Sequence, residues 1–138
     1  MTPPRPKSPA LCICFFLALG CQPAPKNYLD HRWFGDDGKQ IMTFDGDSTL
    51  QWVFHEEELS DTFKVRYRLL EGPDPDHLDL YGFTRGILVG KVLAGIVEMH
   101  TPDSILLDFE PADSFEEADS VRPKGFDPEQ RRFFIRKK

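Results

Sequence analysis

The stretch FKVRYRLLEGPDPDHLDLYGF, residues 63–83, holds the clearest structural signal in the chain. Phe63, Val65, Tyr67 and Leu69 alternate with Lys64, Arg66 and Arg68. Successive side chains of a β-strand point to opposite faces, so this spacing puts four apolar groups on one face and three charges on the other. A helix would mix the two sets around its circumference. Glu71 to His77 then brings together a glycine, two prolines and two aspartates, a turn cluster. Alternation resumes from His77 to Phe83, with Leu78 and Leu80 on the inner face. Strand, turn and strand of this kind predict an antiparallel sheet with one buried face.

The same pattern extends outward in both directions. Lys39 to Asp45 and Ser48 to His55 read as a hairpin turning at Gly46-Asp47, with Trp52 and Phe54 on one face. Lys91 to Met99 and Ser104 to Glu110 flank the turn Thr101-Pro102-Asp103, and Arg131 to Arg136 forms a last strand. Glu56-Glu57-Glu58 reads as a one-turn helix or a loop, Ser114 to Asp119 as an acidic loop, and Gly82, Gly86, Gly90 and Gly95 as bends or bulges in strands. About eight short strands joined by tight turns must leave no exposed edge. The fold expected is therefore all-β, a small antiparallel up-and-down barrel, with a two-sheet sandwich as the alternative.

The N-terminus follows different rules. Arg5 and Lys7 precede an apolar run from Ala10 to Leu19, and the small residue Gly20 stands before Cys21. A charged start, a short apolar middle and a small-residue end make a secretory signal. The run is about ten residues, half of the roughly 20 a helix needs to cross a bilayer. Ala18-Leu19-Gly20-Cys21 resembles the lipobox of bacterial lipoproteins, with Ala18 where that family prefers Leu. The resemblance implies removal of residues 1–20, lipidation of Cys21, and loss of Cys12 and Cys14 with the signal. Gln22 after the cysteine implies sorting to the outer membrane or the cell surface of the envelope. Residues 21–27, Pro-rich, make a tether on the order of 20 Å when extended, and residues 28–138 remain for the barrel domain.

Without Arg5 and Lys7 the 17 basic side chains fall to 15 against 23 acidic ones, a formal charge of −8. Such a surface is repelled by phosphate backbones and anionic headgroups, which disfavours nucleic acid as a partner and leaves membrane attachment to the lipid.

Four segments resemble the lipocalin-like domain of exported bacterial proteins. They are YRLLEGPDPDHLDLYG, AGIVEMHTPDSILLDFEPA, VRPKGF and the final FFIRK. In that pattern Tyr67-Arg68-Leu69, Leu78-Asp79-Leu80, Gly95-Ile96-Val97-Glu98 and Arg122-Pro123 with Phe126 take the characteristic places. His31-Arg32-Trp33 stands where the first strand of such barrels has Gly-x-Trp. The resemblance implies a fold, while the family has no agreed activity. It also implies that Trp33 packs against a basic side chain of the last strand, Arg136, with a guanidinium over an indole face closing the barrel.

No motif points to catalysis. His31, His55, His77 and His100 lack ligand spacing, and the Asp-Gly turns lack the twelve-residue calcium loop with its distal glutamate, so neither metal nor cofactor is expected. No serine sits in a Gly-x-Ser-x-Gly elbow, no glycine-rich phosphate loop ends in Lys-Ser/Thr, and nothing selects a catalytic carboxylate pair. Asp103 to Asp119 holds seven acids and no base, and Arg122 to Lys138 holds seven bases against Asp127 and Glu129. The basic stretch is either a solvated closing strand or a surface that docks on the acidic segment or a partner. The function expected is non-enzymatic: an envelope lipoprotein that binds a small apolar ligand or lipid at one mouth of the barrel, lined by Phe54, Phe63, Tyr67 and Leu80. The alternative is an inhibitor or assembly factor that uses an exposed loop face against an envelope protein.

Overall fold

The period-two stretches become eight strands in the computed structural model, which describes residues 27–137. They are β1 (Arg32–Gly35), β2 (Gln40–Asp45), β3 (Thr49–Glu56), β4 (Leu59–Leu70), β5 (Asp76–Tyr81), β6 (Val92–Thr101), β7 (Ser104–Ala112) and β8 (Arg132–Arg136). Each pairs antiparallel with the next, and β8 returns to β1, so the sheet closes on itself as an up-and-down barrel. Closure removes the edges that a sandwich would have left open. The signal segment, Cys21 and the tether as far as residue 26 lie outside the described residues.

Alternation predicted the two faces of β4 and β5. Val65 and Tyr67 are buried while Lys64, Arg66 and Arg68 are exposed, and Leu78 and Leu80 are fully buried across from them. Trp33, Phe44, Leu50, Val97, Ile105, Leu107 and Phe134 complete the interior from the remaining strands.

Strand direction gives the barrel two unlike ends. One carries the turns at 46–48, 71–75 and 102–103 together with the N-terminal residues 27–31. Here the chain folds under the strands: Leu29 is fully buried, its carbonyl accepts the Trp33 indole N–H at 3.0 Å, and burying such a side chain contributes about 1.5–3 kcal/mol. Asn27, the last residue of the expected tether, already belongs to the fold. Its amide donates to the Tyr67 hydroxyl at 3.1 Å, which donates in turn to the Asp45 carbonyl at 2.8 Å. This end is closed.

The closing pair brings Trp33 directly opposite Arg136, and Gly35 opposite Phe134. Trp33 and Phe134, diagonal neighbours on the inward face of adjacent strands, are both buried. The Arg136 guanidinium does not lie on the indole. It donates to His31 Nε2 at 2.8 Å and to Asp103 at 3.1 Å, and the His31 ring stands edge-on to Trp33. Two hydrogen-bond acceptors, one of them charged, outweigh the weaker attraction of an aromatic face. Burial and Arg136 together lower the His31 pKa, which keeps the ring neutral and able to accept.

Two segments depart from the sequence reading. Glu56-Glu57-Glu58 is not a helix: β3 runs through Glu56, and Glu57-Glu58 is a two-residue loop, with Glu57 at φ 56°, leading into β4. Ser114 to Asp119 is not a loop but the start of helix α1 (Phe115–Val121). The Ser114 hydroxyl accepts the Glu117 N–H at 3.2 Å, and the Glu117 carboxylate reaches back to the Asp113 N–H. Ser-x-x-Glu is a helix-start signature, and acidic side chains in the first turn favour the N-terminal dipole. The helix packs on the outside of β6 and β7, where Ala118 meets Val92, Ala94 and Ala112 in a second small core.

Candidate functional site

The far end of the barrel carries the turns at 36–39 and 57–58 and the long connections 82–91 and 113–131. It stays open, and a cavity of about 450 Å³ enters the barrel there. That volume falls within the range of small-molecule sites.

Its wall is a run of aromatic rings. Phe109 faces Trp52 at 6.2 Å between centroids, Trp52 meets Phe54 at 4.8 Å, Phe54 stands edge-on to Phe63 at 5.9 Å, and Phe63 meets Phe83 at 6.2 Å. Edge-to-face and tilted pairs of this spacing are the favourable arrangements for aromatic quadrupoles, so the rings support one another where they border the opening, packed on the core behind them. Leu93 forms part of the floor. The 82–91 connection bends over one side, turning at Gly86 and Gly90 with φ 84° and 76°, values that side-chain-bearing residues rarely adopt. It tucks Leu88 against the core and leaves Ile87 90% exposed on the rim.

Phe109 lies flat against the wall because Gly95 is its direct neighbour on β6. A side chain at position 95 would push the ring into the opening. One glycine thus deepens the mouth.

Three charged side chains line the cavity: Arg85, Glu110 and Arg132. Arg85 is committed to a two-pronged ion pair with Asp61 and to the Thr62 carbonyl, with its guanidinium 4.3 Å from the Phe63 ring centre. That pairing raises the Arg85 pKa and lowers that of Asp61. Glu110 accepts the Gln130 side-chain amide at 2.9 Å. Among the described residues Arg132 donates only to the neutral Gln40 amide oxygen, at 2.9 Å, and its guanidinium stands 5.5 Å from the Trp52 ring centre. Gln40 holds both partners, because the same oxygen accepts the Trp52 indole N–H at 3.0 Å. Arg132 is exposed at the rim, and its guanidinium remains protonated at neutral pH.

The four residues expected to line a ligand site are divided by the structure. Phe54 and Phe63 line the cavity. Tyr67 and Leu80 do not: both share the inward face, but Leu80 is fully buried in the core and Tyr67 belongs to the closed end. Alternation tells inside from outside, and the level along the barrel axis separates mouth from plug. Trp52 could have been added by its parity with Phe54, and Phe109 by its parity with Ile105 and Leu107. Ile87 and Leu88 sit in a connection whose path no periodicity describes, and Phe83, placed by alternation at the end of a strand, lies in that connection too, because β5 stops at Tyr81.

Outside the barrel, the charged side chains of the resemblance segments converge. Asp79 and Arg122 are both buried, and Arg122 Nη1 donates to Asp79 at 2.6 Å and to the Gly95 carbonyl at 2.8 Å. Arg68 adds a bond to Asp79 at 2.9 Å, and Asp119 accepts from Arg122 at 2.8 Å. Basic residues of the C-terminal segment thus engage the acidic one at Arg122–Asp119 and Arg136–Asp103.

Among the described residues, no group of three or more His, Cys, Asp or Glu side chains is arranged to hold a metal ion, and no helix is long and apolar enough to cross a membrane. No family model, no curated protein and no solved structure matches the chain.

Proposed function

We propose that this is a lipid-anchored protein of the bacterial envelope, favouring the outer membrane or surface, whose lipocalin-like barrel is a non-enzymatic binding module for a small apolar ligand or lipid tail. The open mouth walled by Phe109, Trp52, Phe54, Phe63 and Phe83 carries this reading. Apolar wall left facing water is unfavourable by roughly 25 cal/mol per Å², and an apolar ligand that covers it recovers that free energy. The Ala18-Leu19-Gly20-Cys21 sequence supports the anchor. The chain enters the barrel at its closed end, so a tether from Cys21 would join the molecule opposite its mouth.

The test of binding is native mass spectrometry of protein from its own host, followed by titration with the neutral fluorophore N-phenyl-1-naphthylamine. A retained apolar molecule, or micromolar uptake of the dye, is expected. Phe63→Glu, which puts a carboxylate on the wall, should weaken uptake by about tenfold or more, and Tyr67→Phe at the other end should leave it unchanged. Protein that flies at its bare mass and takes up no dye would refute the binding function. For the anchor, Cys21→Ser is expected to move the protein from the membrane fraction to the soluble one. Continued membrane fractionation of that variant would exclude lipid attachment through Cys21.

A second reading, an inhibitor or assembly factor, draws on one observation: Leu59, Ile87 and Val89 all belong to the connections or strand starts around the open end and are 77%, 90% and 51% exposed. Three apolar side chains on that rim suit contact with an envelope protein.

A further inference from the structure

We infer that the mouth selects a ligand with a single anionic head, a carboxylate on an acyl or aryl chain, and that Arg132 is the residue that reads it. This rests on the binding function proposed above and specifies its ligand class. Of the two cations on the wall, Arg85 has its charge answered by Asp61, whereas Arg132 has no ion pair among the described residues. Its one hydrogen-bond partner among the described residues is neutral. An arginine presents donors in a planar fork that fits a carboxylate at two points, and only part of that fork is used by Gln40.

Its position matches the task. Trp52 lies beneath the guanidinium and forms the aromatic wall, so a chain packed along Trp52 and Phe54 brings its head to Arg132. The neighbouring acids already have partners: Glu110 takes the Gln130 amide, Asp108 takes Gln130 and the Asp127 N–H, and Asp37 takes the Lys39 N–H and, at 3.4 Å, the Gln40 amide. Asp37 and Asp108 act on Arg132 at longer range, holding its charge without forming a contact pair. The cation is held in place and left available.

The test compares 11-(dansylamino)undecanoic acid with its methyl ester, by fluorescence titration of the folded barrel at low and high salt. The acid is expected to bind about tenfold or more tighter than the ester, the size of effect that a charge-assisted pair supplies. Raising the salt should shrink that ratio. Arg132→Gln should bring the acid down to the affinity of the ester while ester binding holds, and Arg132→Lys should keep part of the preference. The thermal midpoint of each variant checks that the barrel is intact. Equal affinities of the wild-type protein for acid and ester, or a preference that survives Arg132→Gln, would overturn the assignment and leave apolar binding standing. Failure of both ligands to bind would overturn the binding function itself and this assignment with it.

Discussion

Arg122→Ala is expected to destabilise the protein by about 3–5 kcal/mol, a large share of the roughly 5–15 kcal/mol that holds a domain together. The side chains of Arg122 and Asp79 are 6% and 4% exposed, so their mutual attraction is little screened by water. Removing the guanidinium takes away two bonds to Asp79 and one to the Gly95 carbonyl. It leaves a buried carboxylate with the half-exposed Arg68 as its remaining cation. The 113–131 connection, which Arg122 pins across the outside of β5 and β6, loses its anchor as well. Asp119→Ala removes the other acid on the same guanidinium, but that carboxylate is 80% exposed and its loss should be felt little. The paired replacement Asp79→Leu with Arg122→Met should be milder than Arg122→Ala alone, because it removes both charges instead of stranding one. Urea denaturation of the three variants decides the matter. A cost below about 1 kcal/mol for Arg122→Ala is the size of a surface ion pair and would contradict the buried one described here.

The barrel was legible wherever a strand has one wet face. Phe63, Val65, Tyr67 and Leu69 against Lys64, Arg66 and Arg68 gave β4 its two sides, and the closing register placed Trp33 opposite Arg136. The rule failed where a second layer covers the outside. Asp79 lies on the outer face by parity and ought to be wet, but the 113–131 connection crosses over it and supplies Arg122 as partner. Helix α1 was masked by its acidity, since Glu116, Glu117 and Asp119 suggest a solvated loop until Ser114 and Glu117 are recognised as a capping pair. The site was half legible. Phe54 and Phe63 followed from alternation, but Tyr67 and Leu80 share their face at a level where the barrel is filled. Arg132 carries no signal at all in the sequence. Its role depends on which other cation has already found a carboxylate, and that is a property of the folded mouth.

Gly95 joins the stability of the barrel to the shape of its mouth, and substitution there should damage both. It lies on β6 between Leu78 of β5 and Phe109 of β7, directly paired with each. A Cβ built at this position would overlap the Phe109 ring and stand 2.7 Å from the Leu78 carbonyl oxygen. The ring can turn away, but only into the cavity it now borders. The carbonyl is part of the β5 backbone and cannot yield without shifting the strand. Overpacking of this kind typically costs about 1–3 kcal/mol, so Gly95→Ala should fall near the upper end, and Gly95→Val, with two further methyl groups, beyond it. If the ring were the whole obstacle, Phe109→Ala would restore Gly95→Ala fully. Because the carbonyl remains, the double variant should recover only part of the loss, and a double-mutant cycle by urea denaturation measures that part. The mouth supplies an independent readout. With Phe109 displaced into it, uptake of N-phenyl-1-naphthylamine by the folded fraction of Gly95→Ala should drop, and the double variant should regain it. A Gly95→Ala protein as stable as the wild type and equally receptive to the dye would show that the close approach of Phe109 and Leu78 to this backbone does not shape the mouth.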